Sequence, residues 1–312
     1  MMPICNQMSN KCFSTNHEFN TQMEDAHVTV DNYVGDPRQG YFAVYDGHGG
    51  RGVVEFIEKK LHLNLAEELV EAQTSLRSVE ECMKTAFLLT DIQTKEANLV
   101  MSGSTAVACF IQALHHSTDG QSSKSNNEDA LSESSKEDGN IRREVAESFG
   151  EVRVLHTANC GDARAVLARA KKAIRLTRDH KASDPEEQKR IEAGEGFVLR
   201  GRVLGILAVS RSFGDHALKQ FVPSLPNYRQ DKLVAEDRFI IIACDGVWDV
   251  MTDQEAVDFV DKRIDEALSA SEVSPGNPYQ KFESQVARAL VNEALERQST
   301  DNITVQIVLL QR

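Results

Sequence analysis

Apolar positions along the chain follow two patterns, which predict strands and helices. Short runs rich in β-branched and aromatic residues, bounded by Gly, Asn and Asp, are typical of strands. Such runs occupy residues 26–30, 41–45, 105–114, 152–158, 163–168, 238–243 and 302–310. Longer segments with apolar residues at helical spacing predict helices at residues 52–72, 76–99 and 279–296, and another that begins after Thr252 and reaches residue 270. Because strand runs are interleaved with pairs of helices, the pattern favours sheets covered by helices over alternating βαβ units.

Residues 117–140 interrupt this pattern with a polar, acidic segment that contains seven serines and six acidic residues. A segment of this composition cannot bury enough apolar surface to offset the loss of chain entropy, so we expect it to be disordered. Biased composition alone is weak evidence of function. We therefore favour a tolerated insertion in a surface loop over a regulatory loop phosphorylated at Ser132, Ser134 or Ser135.

Four acidic segments, spread from one end of the chain to the other, adjoin the predicted strands. Their carboxylates belong to Glu24 and Asp25, to Asp46, to Asp245 and to Asp301. Charges at the ends of buried strands are costly unless a partner neutralises them. Clustered carboxylate oxygens are the ligands that hard divalent cations prefer, and several such acids suit a two-metal site. A single Asp-Gly is more simply a turn, but the four segments together, with His48 beside one of them, favour a metal centre.

Composition limits the classes of protein to which the chain can belong. With 312 residues, 41% of them hydrophobic, it can build one large core or two smaller ones. The first and last acidic segments have to meet for the site to exist, so we predict a single catalytic domain over residues 1–312. The formal net charge of −13 opposes nonspecific binding of nucleic acid.

The chain also lacks signals for a membrane or an export pathway. No apolar run approaches the length of a membrane span, and the N-terminus has no signal-peptide core. Cys109, Cys160 and Cys244 adjoin apolar strand runs, which favours buried free thiols over disulfides. We expect a monomer in the cytoplasm, with the nucleus as a second compartment.

Eight segments carry a family signature. They are MEDAH (23–27), FAVYDGHGG (42–50), SGSTAV (102–107), NCGDAR (159–164), DHKASDPEEQKRIEAGEG (179–196), LAVSRSFGD (207–215), IIIACDGVWDVM (240–251) and STDNITVQIV (299–308). In this order they resemble the motifs of the metal-dependent protein serine/threonine phosphatases of type 2C. The resemblance extends from about residue 23 to residue 310, apart from the acidic insertion, and eight motifs in family order are far more specific than one DGHGG.

The resemblance implies an α+β fold: a β-sandwich of two mainly antiparallel sheets flanked by helix pairs, in four layers, α/β/β/α. It also implies two Mn²⁺ or Mg²⁺ ions, held at one end between the sheets. By the family pattern, Asp46 bridges the two ions. Asp245 and Asp301 bind one of them, and Glu24 with the Gly47 carbonyl binds the other.

The resemblance implies further ligands and a reaction. Asp25 acts mainly through water, and Asp162 and Asp249, together with Asp245, form a weaker third metal site. A water activated between the two ions attacks phosphoserine or phosphothreonine of a phosphoprotein substrate in line, without a phosphoenzyme. His48 resembles the family's candidate general acid, and histidine suits that task because its ordinary pKa lies close to neutral pH.

Two positions depart from the family pattern. Three residues before the Met of MEDAH the family usually carries an arginine that binds the substrate phosphate, where this chain has Asn20. Asparagine lacks the charged, bidentate fork of arginine, which predicts weakened phosphate capture unless Arg51 reaches the phosphate. The second is Leu204, where the family often has Asn, and we expect altered loop packing there.

Three functions remain open from the sequence. The first is a phosphoprotein phosphatase dependent on Mn²⁺ or Mg²⁺. The second is a phosphatase-like binding or regulatory module with weak turnover, and Asn20 is the feature in its favour. The third is a binuclear hydrolase of small phosphoesters or nucleotides, which no nucleotide-binding motif supports. The retained acidic segments favour the first.

Overall fold

The computed structural model of the chain describes residues 9–14, 22–114, 152–271 and 278–310. Two predictions, the weakened phosphate capture by Asn20 and the disordered insertion at residues 117–140, lie outside the described residues. Within them the predicted α+β sandwich is confirmed, because two antiparallel sheets pack face to face under helices. Among the same residues, none of the helices combines the length and the hydrophobicity that a membrane span requires.

Two five-stranded sheets form the centre of the fold. The strands are β1 (Ser9–Ser14), β2 (Ala26–Asp31), β3 (Gly40–Tyr45), β4 (Gly47–His48), β5 (Gly103–Ser104), β6 (Ala106–Leu114), β7 (Val152–Cys160), β8 (Arg164–Arg169), β9 (Lys172–Arg175), β10 (Val198–Leu199), β11 (Arg202–Val203), β12 (Phe213–Gly214), β13 (Asn227–Lys232), β14 (Asp237–Ala243) and β15 (Ile303–Leu309). The first sheet has the order β1-β15-β14-β8-β9 and the second the order β13-β7-β6-β3-β2. A small sheet, β12-β5-β4, and a hairpin, β10-β11, lie outside them.

Most of the helical residues cover the two sheets. The helices are α1 (Gly52–Ser75), α2 (Val79–Glu96), α3 (Pro185–Ala193), α4 (Asp245–Trp248), α5 (Asp253–Ser271) and α6 (Pro278–Glu296). Ser78 and Glu81 cap the start of α2 reciprocally: the Ser78 hydroxyl accepts from the Glu81 N–H at 3.2 Å, and the Glu81 carboxylate accepts from the Ser78 N–H at 2.8 Å. This cap explains why the helix begins at Val79 and not at the predicted residue 76.

Alternating side chains along each strand assign its two faces to different layers. Phe42 and Val44 of β3 point between the sheets, where they share one buried cluster with Ile240 and Ile242 of β14. Tyr41 and the other odd-numbered residues of β3 pack with α1 and α2. The odd-numbered residues of β14 pack with α5 and α6. The four layers α/β/β/α follow from this alternation.

Strand pairing brings the ends of several strands to one end of the sandwich. Ala26, the first residue of β2, pairs with Tyr45, the last of β3. In the other sheet, Ala243 at the end of β14 pairs with Val305 near the start of β15. The turn that carries Asp162 crosses from one sheet to the other at the same end, because β8 begins opposite Ala243. All the acidic segments therefore meet there.

The segment between β9 and β13 has a small core of its own, made of Ala182, Ile191, Val203 and Val222. Leu204 packs against this core and has a φ of 49°, in the left-handed region. Asparagine adopts that region more readily than leucine does. The backbone conformation therefore gives a physical reason for the Asn that the family often carries here.

Candidate metal centre and catalytic site

Three turns converge on one acidic cluster, which contains the buried Asp162 and the partly exposed Asp46 and Asp245. One oxygen from each carboxylate lies within 4.8 Å of the others. Asp46 follows β3, Asp162 lies between β7 and β8, and Asp245 opens α4. Two hydrogen bonds fix the Asp46 turn: its carbonyl accepts from the Thr105 N–H at 2.8 Å and from the Ser104 hydroxyl at 3.1 Å.

The carboxylates of the cluster destabilise one another in the absence of a cation. Burial, and then the negative charges of Asp245 and Asp25, raise the pKa of Asp46 well above its usual value. Burial, followed by the charges of Asp162 and Asp301, raises the pKa of Asp245 to about 8. Buried like charges of this kind require neutralisation by protons or by a bound cation.

The first and last acidic segments are joined by a direct hydrogen bond. The Glu24 N–H donates to Oδ1 of Asn302 at 2.8 Å, across 278 positions of sequence. Burial raises the pKa of the neighbouring Asp25 to about 7, and the charges of Asp301 and Glu24 add to this effect. Oδ2 of Asp25 is buried and has no hydrogen-bond partner among the described residues. Such an oxygen is suited to a water or a cation.

Gly47 permits the close approach of the first two acidic segments. A Cβ atom at this position would lie 2.4 Å from the carbonyl oxygen of Glu24, so a larger residue would push the segments apart. The site therefore offers clustered carboxylates, an unpartnered buried oxygen and a close backbone approach. This donor set consists of hard oxygen atoms, and it fits Mn²⁺ or Mg²⁺.

The three acids of the predicted third metal site are not equivalent. Asp162 and Asp245 belong to the cluster with Asp46, whereas the side chain of Asp249 is 61% exposed. Nζ of Lys181 donates to Oδ1 of Asp249 at 2.9 Å and lies 3.8 Å from Oδ2 of Asp162. Lys181 was not predicted from the sequence as a site residue, although it lies inside the motif that begins at Asp179.

His48 lies on β4, two residues after Asp46, and its Nε2 is 2.7 Å from Oδ2 of Asp215. Asp215 was not predicted from the sequence as a functional residue. The available signal was its position at the end of the LAVSRSFGD motif, and no local pattern relates that motif to His48.

Arg51, the predicted alternative phosphate ligand, already has two partners. Its Nε donates to Oε1 of Glu55 at 2.8 Å, and its Nη1 donates to the carbonyl of Met23. The guanidinium therefore lies beside the Met23–Glu24 segment and remains partly exposed. This contact places a positive charge at the edge of the acidic site.

Comparison with known proteins decides the family. The model of the protein phosphatase 2C family matches residues 11–303. The chain belongs to the protein phosphatase 2C family. Membership confirms the predicted class of function, a serine/threonine phosphatase with a metal-activated mechanism, and does not favour the alternative of a binding or regulatory module.

Two yeast members of the protein phosphatase 2C family align over most of the chain. Protein phosphatase 2C homolog 1 of Saccharomyces cerevisiae is 35% identical over 295 residues, which cover 95% of this chain and 90% of the relative. Protein phosphatase 2C homolog 1 of Schizosaccharomyces pombe is 35% identical over 301 residues, covering 95% and 71%. The crystal structure of a phosphatase from Toxoplasma gondii covers 97% of this chain and 94% of its own, with a TM-score of 0.68 and 22% identity. This last likeness supports the fold alone.

Proposed function

We propose that this phosphatase hydrolyses phosphoserine and phosphothreonine in protein substrates with two bound Mn²⁺ or Mg²⁺ ions. The observation that carries the proposal is the convergence of Asp46, Asp162 and Asp245, whose carboxylate oxygens lie within 4.8 Å of one another. Protonation could neutralise these carboxyls, but it would give no reason for three separate turns to bring them together. Divalent cations give that reason, because they convert the mutual repulsion into attraction.

Each acidic segment has a distinct role in this proposal. Asp46 would contact both ions, Asp245 and Asp301 would hold one of them, and Glu24 with the Gly47 carbonyl would hold the other. When bound, the ions supply an activated water and neutralise negative charge on the phosphoryl group.

A water-mediated ligand and a third metal site complete the proposed ligand set. Asp25, with its unpartnered Oδ2, would bind a water next to the ions. Asp162 and Asp249, with Asp245, would form a weaker third site.

His48 would protonate the oxygen of the leaving serine or threonine. An alkoxide is a poor leaving group, and a positioned acid typically contributes about 10²–10⁴ in rate. Arg51 would assist phosphate binding only by giving up the Met23 carbonyl or Glu55, or by using its remaining N–H groups.

Release of phosphate from a phosphothreonine peptide by the full chain tests the proposal. The reaction should require Mn²⁺ or Mg²⁺, stop with a chelator and recover when the ion is restored. Asp46→Asn should lose almost all turnover, whereas Asp258→Asn, a matched change on the exposed side of α5, should not. Full activity in chelator, or in Asp46→Asn, would overturn the proposal. Titration calorimetry would count the ions, and light scattering would check the predicted monomer.

A further inference from the structure

The ring of His48 has a carboxylate partner far away in the sequence. Nε2 of His48 and Oδ2 of Asp215 lie 2.7 Å apart across 167 positions, and both side chains are partly buried. One ring nitrogen of His48 is therefore already occupied by the protein. Nδ1, for which the described residues supply no hydrogen-bond partner, remains for a substrate.

Asp215 is held in place from two directions. Its Oδ2 also accepts from the Ser212 hydroxyl at 2.5 Å, and its N–H donates to the Ser102 carbonyl at 3.1 Å. The φ of Asp215 is 45°, in the left-handed region that residues other than glycine rarely adopt. Strained conformations of this kind persist where the surroundings enforce them, and they cluster at functional sites.

Gly103 provides the space in which His48 and Asp215 meet. A Cβ atom on Gly103 would lie 2.1 Å from Oδ2 of Asp215 and 2.4 Å from Nε2 of His48. Any larger residue would therefore separate the two side chains. The contact depends on a glycine that the small β12-β5-β4 sheet positions between them.

The Asp215 carboxylate remains ionised in this setting. Burial opposes ionisation, but the hydrogen bonds from His48 and Ser212 and the charge of Lys219 hold the pKa of Asp215 below its usual value. Lys219 is itself held by Asp91, whose Oδ2 lies 3.0 Å from Nζ of Lys219.

We propose that Asp215 is a positioning residue for His48, which fixes Nε2 as the protonated nitrogen and leaves Nδ1 to deliver the proton to the leaving oxygen. This inference rests on the proposed function, in which His48 is the general acid. A histidine nitrogen is assigned its role by the hydrogen bond that the other nitrogen makes.

The proton balance of the step is simple. The acid form of His48 is the imidazolium, with protons on both nitrogens. As the bond between phosphorus and the serine or threonine oxygen breaks, the Nδ1 proton moves to that oxygen and forms the hydroxyl. His48 is left neutral with its proton on Nε2, the tautomer from which Asp215 accepts. A proton from solvent then restores the imidazolium.

Asp215→Asn tests the proposal with two substrates. Because His48 would no longer be positioned as the general acid, kcat for a phosphothreonine peptide should fall by roughly tenfold to a hundredfold, with little change in KM. Hydrolysis of p-nitrophenyl phosphate, whose leaving group needs no proton, should change by less than about threefold. The double variant with His48→Ala should lose no more than His48→Ala alone, since both changes remove one function.

Asp91→Asn is the matched control for a purely structural effect. Asp91 is buried, accepts from the Gly214 N–H at 2.8 Å and supports the same loop through Lys219. It has no contact with His48 in the described part of the chain. Loosening of the loop should slow both substrates alike, so the same substrate-selective loss in Asp91→Asn would overturn the positioning role.

A second measurement does not depend on activity. When the His48 ring is neutral, its ¹⁵N NMR spectrum should report the Nε2–H tautomer in the wild type and a changed tautomer mixture in Asp215→Asn. An unchanged tautomer, or equal losses on the two substrates, would reject the role of Asp215 while leaving the phosphatase function intact. Absence of metal-dependent hydrolysis in the wild type would instead reject the proposed function itself.

Discussion

Nζ of Lys181 donates a hydrogen bond of 2.9 Å to Oδ1 of Asp249, at the edge of the acidic cluster. The same ammonium lies 3.8 Å from Asp162, so it stands between two of the three acids of the predicted third metal site. Burial opposes its charge, but the hydrogen bond to Asp249 and the charge of Asp162 hold the pKa of Lys181 above its usual value. The protein thus supplies a cation of its own where a third ion would bind.

Lys181→Met is expected to strengthen binding of a third ion. Two like charges about 4 Å apart repel by roughly 1–4 kcal/mol at effective dielectric constants of 80 to 20, so the affinity should rise by about fivefold to several hundredfold. Calorimetric titration with Mn²⁺ would measure this as a tighter final binding event. Lys172→Met, a matched change at an exposed position of β9, should leave all affinities unchanged. Equal third-site affinity in Lys181→Met and wild type would contradict competition by Lys181.

Asp245→Asn is expected to change metal binding and the stability of the metal-free protein in opposite directions. The amide keeps the shape of the side chain and removes the repulsion that raises the pKa of Asp245 to about 8. Above that pH the metal-free variant should therefore be more stable than the metal-free wild type, by about 1–3 kcal/mol. With Mn²⁺ the order should reverse, because the wild type gains more binding free energy. Thermal unfolding with and without chelator measures both effects.

The raised pKa of Asp245 also determines how the stability of the metal-free protein changes with pH. The pKa of Asp245 rises from 3.8 to about 8 on folding, so the folded protein keeps a proton that the unfolded chain loses. The contribution of this group to stability is present below pH 3.8 and is lost as the pH rises to about 8. Metal-free wild type should lose stability over this window more steeply than Asp245→Asn. Parallel pH profiles would show that Asp245 is not under the repulsion described.

Asn20→Arg is expected to improve phosphate capture. This prediction rests on the family pattern, and Arg51 bears on it because its guanidinium is already bonded to Glu55 and to Met23. A new charged hydrogen-bonding pair contributes about 1.5–3 kcal/mol, which corresponds to roughly tenfold to a hundredfold. KM for a phosphopeptide should fall and inhibition by free phosphate should tighten, with Mn²⁺ affinity unchanged. Asn20→Gln is the uncharged control, and no gain from Asn20→Arg over that control would mean that phosphate capture is already complete.

Glu187→Gln is expected to destabilise the segment between β9 and β13. Glu187 is buried and accepts from Arg211 at 2.6 Å, from Arg190 at 2.9 Å and from Ser210 at 2.9 Å. Removing its charge leaves the partly exposed Arg190 and Arg211 without their buried counter-charge, which costs up to about 3–5 kcal/mol. Glu186→Gln, a neighbouring change on an exposed side chain, should cost less than about 1 kcal/mol. Urea unfolding of the two variants provides the comparison, and similar losses would contradict the role of the buried pair.

Acid should remove the contribution of Glu187. Burial raises its pKa, but Arg211, Arg190 and Ser210 more than offset this and lower it from 4.5 to about 2. The stabilisation is therefore present above pH 4.5 and is lost as the pH falls to about 2. The difference in stability between wild type and Glu187→Gln should shrink over the same window. A constant difference would show that the ionised carboxylate is not responsible.

Residues with local signals were predictable from the sequence. Asp46 and Asp245 each follow a buried apolar run. In any fold, burying a charged carboxylate at such a position costs free energy unless a cation or a proton neutralises it. The order of motifs predicted the family, and the apolar runs predicted most strands of both sheets. In contrast, β13 is polar and largely exposed, and its sequence has no alternation of apolar and polar residues. Its backbone pairing with β7 at the edge of the second sheet defines it as a strand.

Partnerships between distant segments were decided by the tertiary structure alone. The contact between His48 and Asp215 depends on Gly103, on a strained backbone and on a small sheet, and none of these leaves a periodic signal along the chain. The contact between Lys181 and Asp249 likewise depends on two loops that packing brings together. Periodicity reports which face of an element is buried, because burial repeats along the element. A single hydrogen bond across the sandwich does not repeat, so the sequence by itself supplied the carboxylates and the histidine, and packing chose their partners.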